Sequence, residues 1–236
     1  MNSPDASAPA LAAPGSLFAR LTGACPADWT AYTRHEFVRG LGDGSLPEAC
    51  FRHYLVQDYL FLIHFARAWA LAAFKSDDLA DIRGAAAALS GIVDIEMDLH
   101  VAFCAGWGLT EADMAAAPEA MQTTAYTRYV MERGMAGDVL DLHVALAPCI
   151  VGYGEIGLEL RRDGATVLDG NPYRAWIEMY SGEEYLDVAR SAVAQLDRLS
   201  VARGGDARFP DLSRTFAHAT RLEAAFWDMG MAPPAG

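Results

Sequence analysis

The sequence predicts an all-α protein, a single-domain helical bundle of at least seven helices. Apolar residues recur at helical spacing along nearly the whole chain, and no stretch shows the alternation of apolar and polar residues that is typical of strands. No linker rich in proline and serine divides the middle of the chain, and 236 residues suffice to bury one large core. We therefore expect one helical domain over residues 17–230, after a disordered tail rich in Ala, Pro and Ser over residues 1–16.

Local signals place the first long helices. Pro47 suits the first turn of a helix, and the chain then runs to Lys75 without Gly or Pro. This helix is apolar around most of its circumference, which is typical of a helix in the middle of a bundle. The next helix is expected to begin near residues 77–78 and to end at the turn 106–108, and Thr110 caps a short helix after it.

Further helices complete the predicted bundle. One follows Pro118, and the next lies in the segment 137–162, where Pro148 removes a backbone donor and should kink the helix. The segment 171–200 is predicted to hold a short helix and a longer one. The last helix is expected to begin near Pro210.

Composition argues against several classes of function. The formal net charge is −13, from 31 acidic and 18 basic residues without a basic run, so no nucleic-acid partner is expected. No uncharged apolar stretch of 18 residues occurs, so no membrane span is expected. None of the four cysteines forms a CxxC pair, which argues against a zinc knuckle or a redox motif. The cytoplasm, where thiols are reduced, is the expected compartment.

Asp58 is an acid within a run of bulky apolar residues. On a helix it shares one face with Tyr54, Phe61 and Phe65, so aromatic rings surround a single carboxylate. An ionised carboxylate removed from water without a partner is costly, so the protein must expose it, pair it or use it. Two interpretations stay open at this point: a core acid paired with an arginine or a helix end, or a ligand-binding group.

Cys149 and Glu223 raise the same question on two other helices. Cys149 lies four residues before Tyr153 and shares a face with it, although most free cysteines are small buried hydrophobic residues. Glu223 has the helical neighbours Phe226 and Trp227, and a carboxyl group in apolar surroundings has a raised pKa and exchanges protons near neutral pH. Side chains on three helices can meet only in the interior of a bundle, so two acids and a thiol together indicate an active site.

Several longer motifs carry a family resemblance. They are FRHYLVQDYLFLIHFARAWALAAFK, ALAPCIVGYGEIG, YRAWIEMYSGEEY and EAAFW, in this order, with RHEFVRGLGDGSLP and DIEMDLHVAF as further matches. Between Arg34 and Trp227 the sequence resembles the TenA/thiaminase II family, in its cysteine-containing branch. The resemblance implies a heme-oxygenase-like helical fold without heme, and a homotetramer. It also implies hydrolysis of aminopyrimidines from thiamin breakdown to hydroxymethylpyrimidine, or cleavage of thiamin itself.

The resemblance further implies roles for single residues. Cys149 in the PC motif matches the family's active-site cysteine, Glu223 in EAAFW its acid–base glutamate, and Asp58 in QD the aspartate that holds the pyrimidine. The other substrate-binding residues that it implies are Phe61, Tyr126, Tyr153 and Tyr180. Phe61 stands where the family often has tyrosine, so a hydroxyl group is lost while stacking on a flat ring is kept.

Elementary chemistry agrees with these roles. The carboxylate of Asp58 can pair with both the ring nitrogen and the exocyclic amine of an aminopyrimidine. Cys149, if it is reachable and partly deprotonated near neutral pH, can add to an electron-poor ring carbon. Glu223 can then protonate the leaving amine and activate water. We expect Tyr153 and Tyr180 to orient Cys149 and Glu223 by hydrogen bonds.

Three other functions compete with this interpretation. They are a metal or heme oxygenase on a similar helical fold, an oxidase of cofactor synthesis such as that of pyrroloquinoline quinone, and a regulatory protein without chemistry. A di-iron bundle site needs Glu-x-x-His on two helices, and the sequence has no such motif. Glu96 and His100 are four apart, a spacing that is common for paired polar residues on a helix. We therefore expect no metal and no cofactor, and the acidic charge argues against direct contact with DNA.

Overall fold

The computed structural model describes residues 10–234 and places them almost entirely in helices. Twelve α-helices and one π-helical turn occur in this range, and no β-strand does, so the predicted all-α class is confirmed. The elements are α1 (Leu17–Ala24), α2 (Pro26–Thr33), α3 (Glu36–Asp43), α4 (Glu48–Lys75), α5 (Leu79–Gly91), the π-helical turn (Ile92–Glu96), α6 (Met97–Ala105), α7 (Glu111–Ala116), α8 (Met121–Ala136), α9 (Val139–Arg162), α10 (Arg174–Ser181), α11 (Glu183–Ala202) and α12 (Gly205–Met231).

Two long helices form the centre of the bundle. α9 packs against α8, α10, α11 and α12, and most of its side chains are buried. By length and composition α9 could cross a membrane, but 89% of its most apolar window is buried inside the protein, as in the core helix of a bundle. α4 packs against α5, α8 and α12 and ends at Lys75, as predicted from the sequence.

The second predicted helix is divided into three parts, α5, the π-helical turn and α6. Asp78 caps α5, because its side chain accepts a hydrogen bond from the backbone N–H of Asp81 at 2.9 Å. The π turn adds one residue, which rotates the following side chains by about 100° around the helix axis. In this arrangement His100 is fully buried, while Val93 and Ile95 are exposed. The π turn thus decides which polar side chains of this segment face the core.

The other predicted helix ends follow their local signals with one exception. Thr110 begins α7 in a capping box, as predicted. α12, in contrast, begins at Gly205 and not near Pro210, which lies inside the helix. The guanidinium of Arg208, in the first turn of α12, donates to the carboxylate of Asp138 at 2.8 Å. This tertiary ion pair holds the turn ahead of the proline, and no local signal reveals it.

The structure also corrects part of the predicted tail over residues 1–16. Residues 1–9 lie outside the described residues. Leu11 is 6% exposed and belongs to a core cluster formed with α1, α9, α11 and α12. Ser16 caps α1 through its hydroxyl oxygen. Leu11 and Ser16 therefore attach the stretch 10–16 to the domain, because Leu11 occupies an apolar site that composition alone does not reveal.

Gly157 on α9 allows a close approach of α10. A Cβ atom at this position would lie 2.5 Å from the backbone carbonyl carbon and oxygen of Tyr180, which cannot rotate away. We expect Gly157→Ala to lower the free energy of unfolding by about 1–3 kcal/mol, measured by urea denaturation. Gly84→Ala in α5 is the matched control, because apart from its chain neighbours and local helix backbone no described atom lies within 4 Å of the added Cβ. Alanine should stabilise that helix by up to about 1 kcal/mol. Equal stability of Gly157→Ala and the wild type would contradict the close packing.

Candidate active site

The seven residues selected from the sequence come together in the bundle interior from five helices, α4, α8, α9, α10 and α12. The contacts described below link them into one cluster. Six of them are buried, and they are Asp58, Phe61, Tyr126, Tyr153, Tyr180 and Glu223. Cys149 is half-buried, whereas the three other cysteines are buried. The least buried thiol of the chain is therefore the one beside the acids.

Glu223 is the centre of a hydrogen-bonded group. Its Oε1 accepts a hydrogen bond from the hydroxyl of Tyr126 at 2.7 Å, and the thiol of Cys149 is close enough to influence its pKa. Burial raises the pKa of Glu223 to about 8, against the opposing effect of Tyr126 and Cys149. The carboxyl group is therefore mostly protonated at neutral pH in the free protein, and it can both donate and accept a proton in that range.

The thiol of Cys149 is not ionised in advance, which corrects the expectation of a partly deprotonated sulfur. Burial, and then the negative charges of Glu223, Glu96 and Asp58, raise the pKa of Cys149 well above its usual value. A positively charged ligand beside the sulfur would offset these charges. The thiolate is therefore expected to form with the ligand in place and with Glu223 as the base.

The hydrogen bonds of the tyrosines differ from the prediction. Tyr126 on α8, and neither Tyr153 nor Tyr180, bonds to Glu223. The hydroxyl of Tyr153 lies 3.3 Å from that of Tyr54, and the hydroxyl of Tyr180 donates to another carboxylate. The reason is geometric. The carboxyl group of Glu223 extends from α12 toward α8, whereas the hydroxyl groups of Tyr153 and Tyr180 face α4 and the π turn.

Asp58 is paired within the protein, but by neither of the partners that the sequence suggested. Its Oδ2 accepts hydrogen bonds from the hydroxyl of Tyr54 at 2.9 Å and from Nε2 of His100 at 2.7 Å. Among residues 10–234, no arginine and no helix end bonds to this carboxylate. Within the described part of the chain, Oδ1 has no hydrogen-bond donor, so this oxygen remains to accept from a ligand.

A proton lies between the imidazole ring of His100 and the carboxyl group of Asp58. Its Nδ1 lies 2.8 Å from the backbone carbonyl oxygen of Glu96, and because a carbonyl only accepts, Nδ1 carries a hydrogen. Nε2 faces the carboxylate, so a second proton must lie between the two side chains. Burial by itself lowers the pKa of His100, but the hydrogen bond and charge of Asp58, with the charge of Glu96, outweigh it and raise this pKa. These contacts favour the protonated imidazole facing the carboxyl group of Asp58.

Glu96 is a third carboxyl group in the site, and sequence reasoning did not assign it there. It is half-buried at the end of the π turn, and its Oε1 accepts a hydrogen bond from the hydroxyl of Tyr180 at 2.7 Å. Burial, followed by the charge of Asp58, raises its pKa. The spacing of Glu96 and His100 was the available signal, but the π turn hides the direction in which each side chain points.

Aromatic rings enclose the polar groups. The ring of Phe61 lies 4.9 Å from that of Tyr126, and the ring of Tyr153 lies 4.8 Å from that of Tyr180, measured between centroids. Trp176, a further residue missed from the sequence, donates from Nε1 to the hydroxyl of Tyr54 at 3.3 Å. Flat rings around a few polar groups suit a flat heterocyclic ligand.

No metal-binding cluster accompanies this arrangement. Within residues 10–234, no three His, Cys, Asp or Glu side chains form a group that could hold a metal ion. A surface cleft of about 740 Å³ between α8 and α12 includes none of the site residues. The expectation that the protein needs neither metal nor cofactor stays a prediction.

Comparison with known proteins identifies the family of the chain. Residues 26–232 match the sequence model of the TENA/THI-4/PQQC family. The chain belongs to this family. An aminopyrimidine aminohydrolase of Halalkalibacterium halodurans is 35% identical over 202 residues, which cover 85% of this chain and 89% of the relative. An uncharacterised protein of Haemophilus influenzae is 37% identical over 203 residues, which cover 86% of this chain and 93% of the relative.

Solved structures of the TenA family share the fold. A crystal structure described as a TenA family transcription regulator, from a Silicibacter species, superposes with a TM-score of 0.87 at 42% identity, over 93% of this chain and 98% of the other. A TenA homologue from P. horikoshii gives a TM-score of 0.82 at 26% identity, over 92% and 98% of the two chains. The chain therefore has the all-α, heme-oxygenase-like fold of TenA homologues, as the resemblance implied.

Proposed function

We propose that this TenA-family protein is a hydrolase of thiamin salvage that converts 4-amino-5-aminomethyl-2-methylpyrimidine and water to the hydroxymethylpyrimidine and ammonia. The observation that carries the proposal is the group of Cys149, Glu223 and Tyr126, with the free oxygen of Asp58 in the same interior. The name of the H. halodurans relative, aminopyrimidine aminohydrolase, supports the same reaction class.

Substrate binding follows from the unpaired oxygen of Asp58. Oδ2 already accepts two hydrogen bonds, so Oδ1 is the atom that receives an N–H group from the edge of the aminopyrimidine. This proposal replaces the two-oxygen pairing expected from the sequence. His100 keeps the carboxylate oriented, and the ring of Phe61 or Tyr126 stacks on the heterocycle.

The chemical steps use the Cys149 thiol and the Glu223 carboxyl group. The sulfur adds to an electron-poor ring carbon while Glu223, ionised in the complex, takes the thiol proton. The C–N bond to the exocyclic carbon then breaks, Glu223 returns its proton to the leaving nitrogen, and ammonia is released. Water adds to the exocyclic carbon and gives a proton to Glu223, the C–S bond breaks, and Glu223 passes this proton to the released sulfur, which restores the thiol and the carboxylate. One water is consumed and one ammonia is formed.

Thiamin is a second candidate substrate, since its pyrimidine ring carries the same edge and its leaving group is a thiazole. Ammonia release from the aminopyrimidine, compared with thiazole release from thiamin, tests the proposal and ranks the two. Activity that is lost on chelation and restored by iron or zinc would favour the oxygenase alternative. No turnover of either compound would favour a regulatory protein, a role that the description of the Silicibacter homologue names for that protein.

The assembly and location are proposed from the same family membership. We propose a homotetramer in the cytoplasm, with a small-molecule substrate as the partner and without nucleic acid or membrane. Light scattering coupled to size-exclusion chromatography measures the subunit number directly, and a monomer in that experiment would overturn the tetramer.

Asp58→Asn is expected to lower kcat/KM roughly ten- to a hundred-fold, mainly through KM, because a charge-assisted hydrogen bond contributes about 1.5–3 kcal/mol. The variant should stay folded, since its amide can donate to Nε2 of a neutral His100. Steady-state kinetics and thermal unfolding measure both effects. Asp98→Asn, exposed on α6, is the matched control. A variant that does not fold would show that Asp58 is structural.

A further inference from the structure

Glu96 is a carboxyl group in the site for which the proposed steps have no use. Ionising a half-buried acid close to the carboxylate of Asp58 is costly unless the acid has a function or a partner. Glu96 accepts one hydrogen bond, from Tyr180 to Oε1, and within residues 10–234 no donor reaches Oε2. It also ends a π-helical turn, a distortion that is often found at functional sites. These observations indicate that Oε2 is an acceptor for a ligand.

Electrostatic interactions link Glu96 to the nucleophile and to the neighbouring tyrosines. Its negative charge raises the pKa values of Cys149 on α9, Tyr180 on α10 and Tyr185 on α11. The charges of Asp58 and His100 face it from α4 and α6. His100 offsets part of the charge of Glu96, but His100 is also the partner of Asp58, so the two carboxyl groups share one basic group.

The parts of the substrate can be assigned to these acceptors by elimination. Oδ1 of Asp58 receives the edge of the pyrimidine, and Glu223, which gives its proton to the leaving nitrogen in the proposed steps, meets that nitrogen as a donor and not as an acceptor. The remaining donor of the aminopyrimidine is its aminomethyl nitrogen, which carries N–H groups in both its neutral and its ammonium form. The thiazolium nitrogen of thiamin carries no N–H group. A carboxylate beside the leaving group therefore distinguishes the two compounds.

We propose that Glu96 is a specificity-determining residue, which accepts a hydrogen bond from the leaving amine and so favours primary aminomethyl substrates over thiamin. This inference rests on the proposed function and names the substrate class of the same site. Tyr180 orients the carboxylate through its hydrogen bond to Oε1, and the π turn directs the side chain inward.

Glu96→Gln tests the proposal, because the amide keeps the acceptor for Tyr180 and the side-chain volume but removes the charge. We expect kcat/KM for the aminomethyl substrate to fall roughly ten- to a hundred-fold and kcat/KM for thiamin to change less than about threefold. Glu155→Gln on α9 is the matched control, since Glu155 is also a half-buried carboxyl group and accepts from one side-chain donor of the described residues, Trp29. Its activity on both substrates should equal that of the wild type.

An equal loss for both substrates in Glu96→Gln would overturn the proposal, because it would show that Glu96 only maintains the site. If the wild type hydrolyses neither compound, the proposed function fails, and calorimetry still tests Glu96. The probes are then the 5-aminomethyl and the 5-methyl forms of the pyrimidine. The wild type should bind the aminomethyl form at least tenfold more tightly, and Glu96→Gln should lose that preference. A preference that survives the substitution would also overturn the proposal.

Discussion

Cys149→Ser is expected to lower turnover by roughly 10²-fold or more while the fold is retained. Sulfur and oxygen differ little in volume, but a hydroxyl group is a far weaker nucleophile than a thiolate near neutral pH. The position is half-buried beside Glu223, where a polar hydroxyl group of similar size is tolerated. Single-turnover and steady-state ammonia release measure the loss, and thermal unfolding checks the fold.

Cys25→Ser is the matched control for this experiment. The thiol of Cys25 donates to the carbonyl oxygen of Leu21 at 3.4 Å, within a second core cluster that contains none of the site residues. A hydroxyl group can make the same bond, so activity should stay at the wild-type level. Normal turnover of Cys149→Ser would refute the covalent mechanism, whatever the family membership of the chain.

The raised pKa of Cys149 can be tested by a second experiment, which measures how fast the thiol is alkylated. Because burial and three carboxyl groups raise this pKa, alkylation of Cys149 by iodoacetamide should be slow at neutral pH and should rise with pH. It should still exceed alkylation of the three buried cysteines. Saturating aminopyrimidine should protect the sulfur, and peptide mass spectrometry of the labelled protein measures the order.

Glu223→Gln is expected to have the second large effect, a loss of roughly 10²- to 10³-fold in kcat, because an amide can neither take the thiol proton nor return it to the leaving amine. The substitution should also change the pH dependence of stability. The pKa of Glu223 rises from its ordinary 4.5 to about 8 on folding, so between these values the folded chain binds more protons than the unfolded chain.

The sign of the stability effect follows from this difference in bound protons. The contribution of Glu223 is fully present below pH 4.5 and is lost as the pH rises through about 8, where a buried carboxylate must form. Glu223→Gln removes that penalty. It should be more stable than the wild type above pH 8, by on the order of 4 kcal/mol, and nearly equal at pH 4.

Urea denaturation at both pH values measures this difference. Glu184→Gln, exposed on α11, is the matched surface control, and its stability relative to the wild type should change little between the two pH values. A Glu223→Gln variant that gains no stability at high pH would show that the carboxyl group is not held protonated by its surroundings. Full activity of this variant would remove Glu223 from the mechanism.

Local sequence determined much of the bundle. Capping and proline signals act within one helical turn, so the start of α4 after Pro47, its end at Lys75 and the start of α7 after Thr110 could be predicted. The isolated acids Asp58 and Glu223 in apolar surroundings also identified two helices of the site, because burying a carboxyl group is costly wherever it occurs. These conclusions need no knowledge of how the helices pack.

Only the tertiary structure decided which side chains of the site form hydrogen bonds with one another. Asp58 pairs with His100 over 42 residues, Tyr180 with Glu96 over 84 and Tyr126 with Glu223 over 97. Hydrogen bonds depend on distances of a few tenths of an ångström and on the rotation of each helix about its axis, and helical periodicity does not give either quantity. The π turn makes helical periodicity still less informative, because one extra residue rotates the following side chains by about 100°.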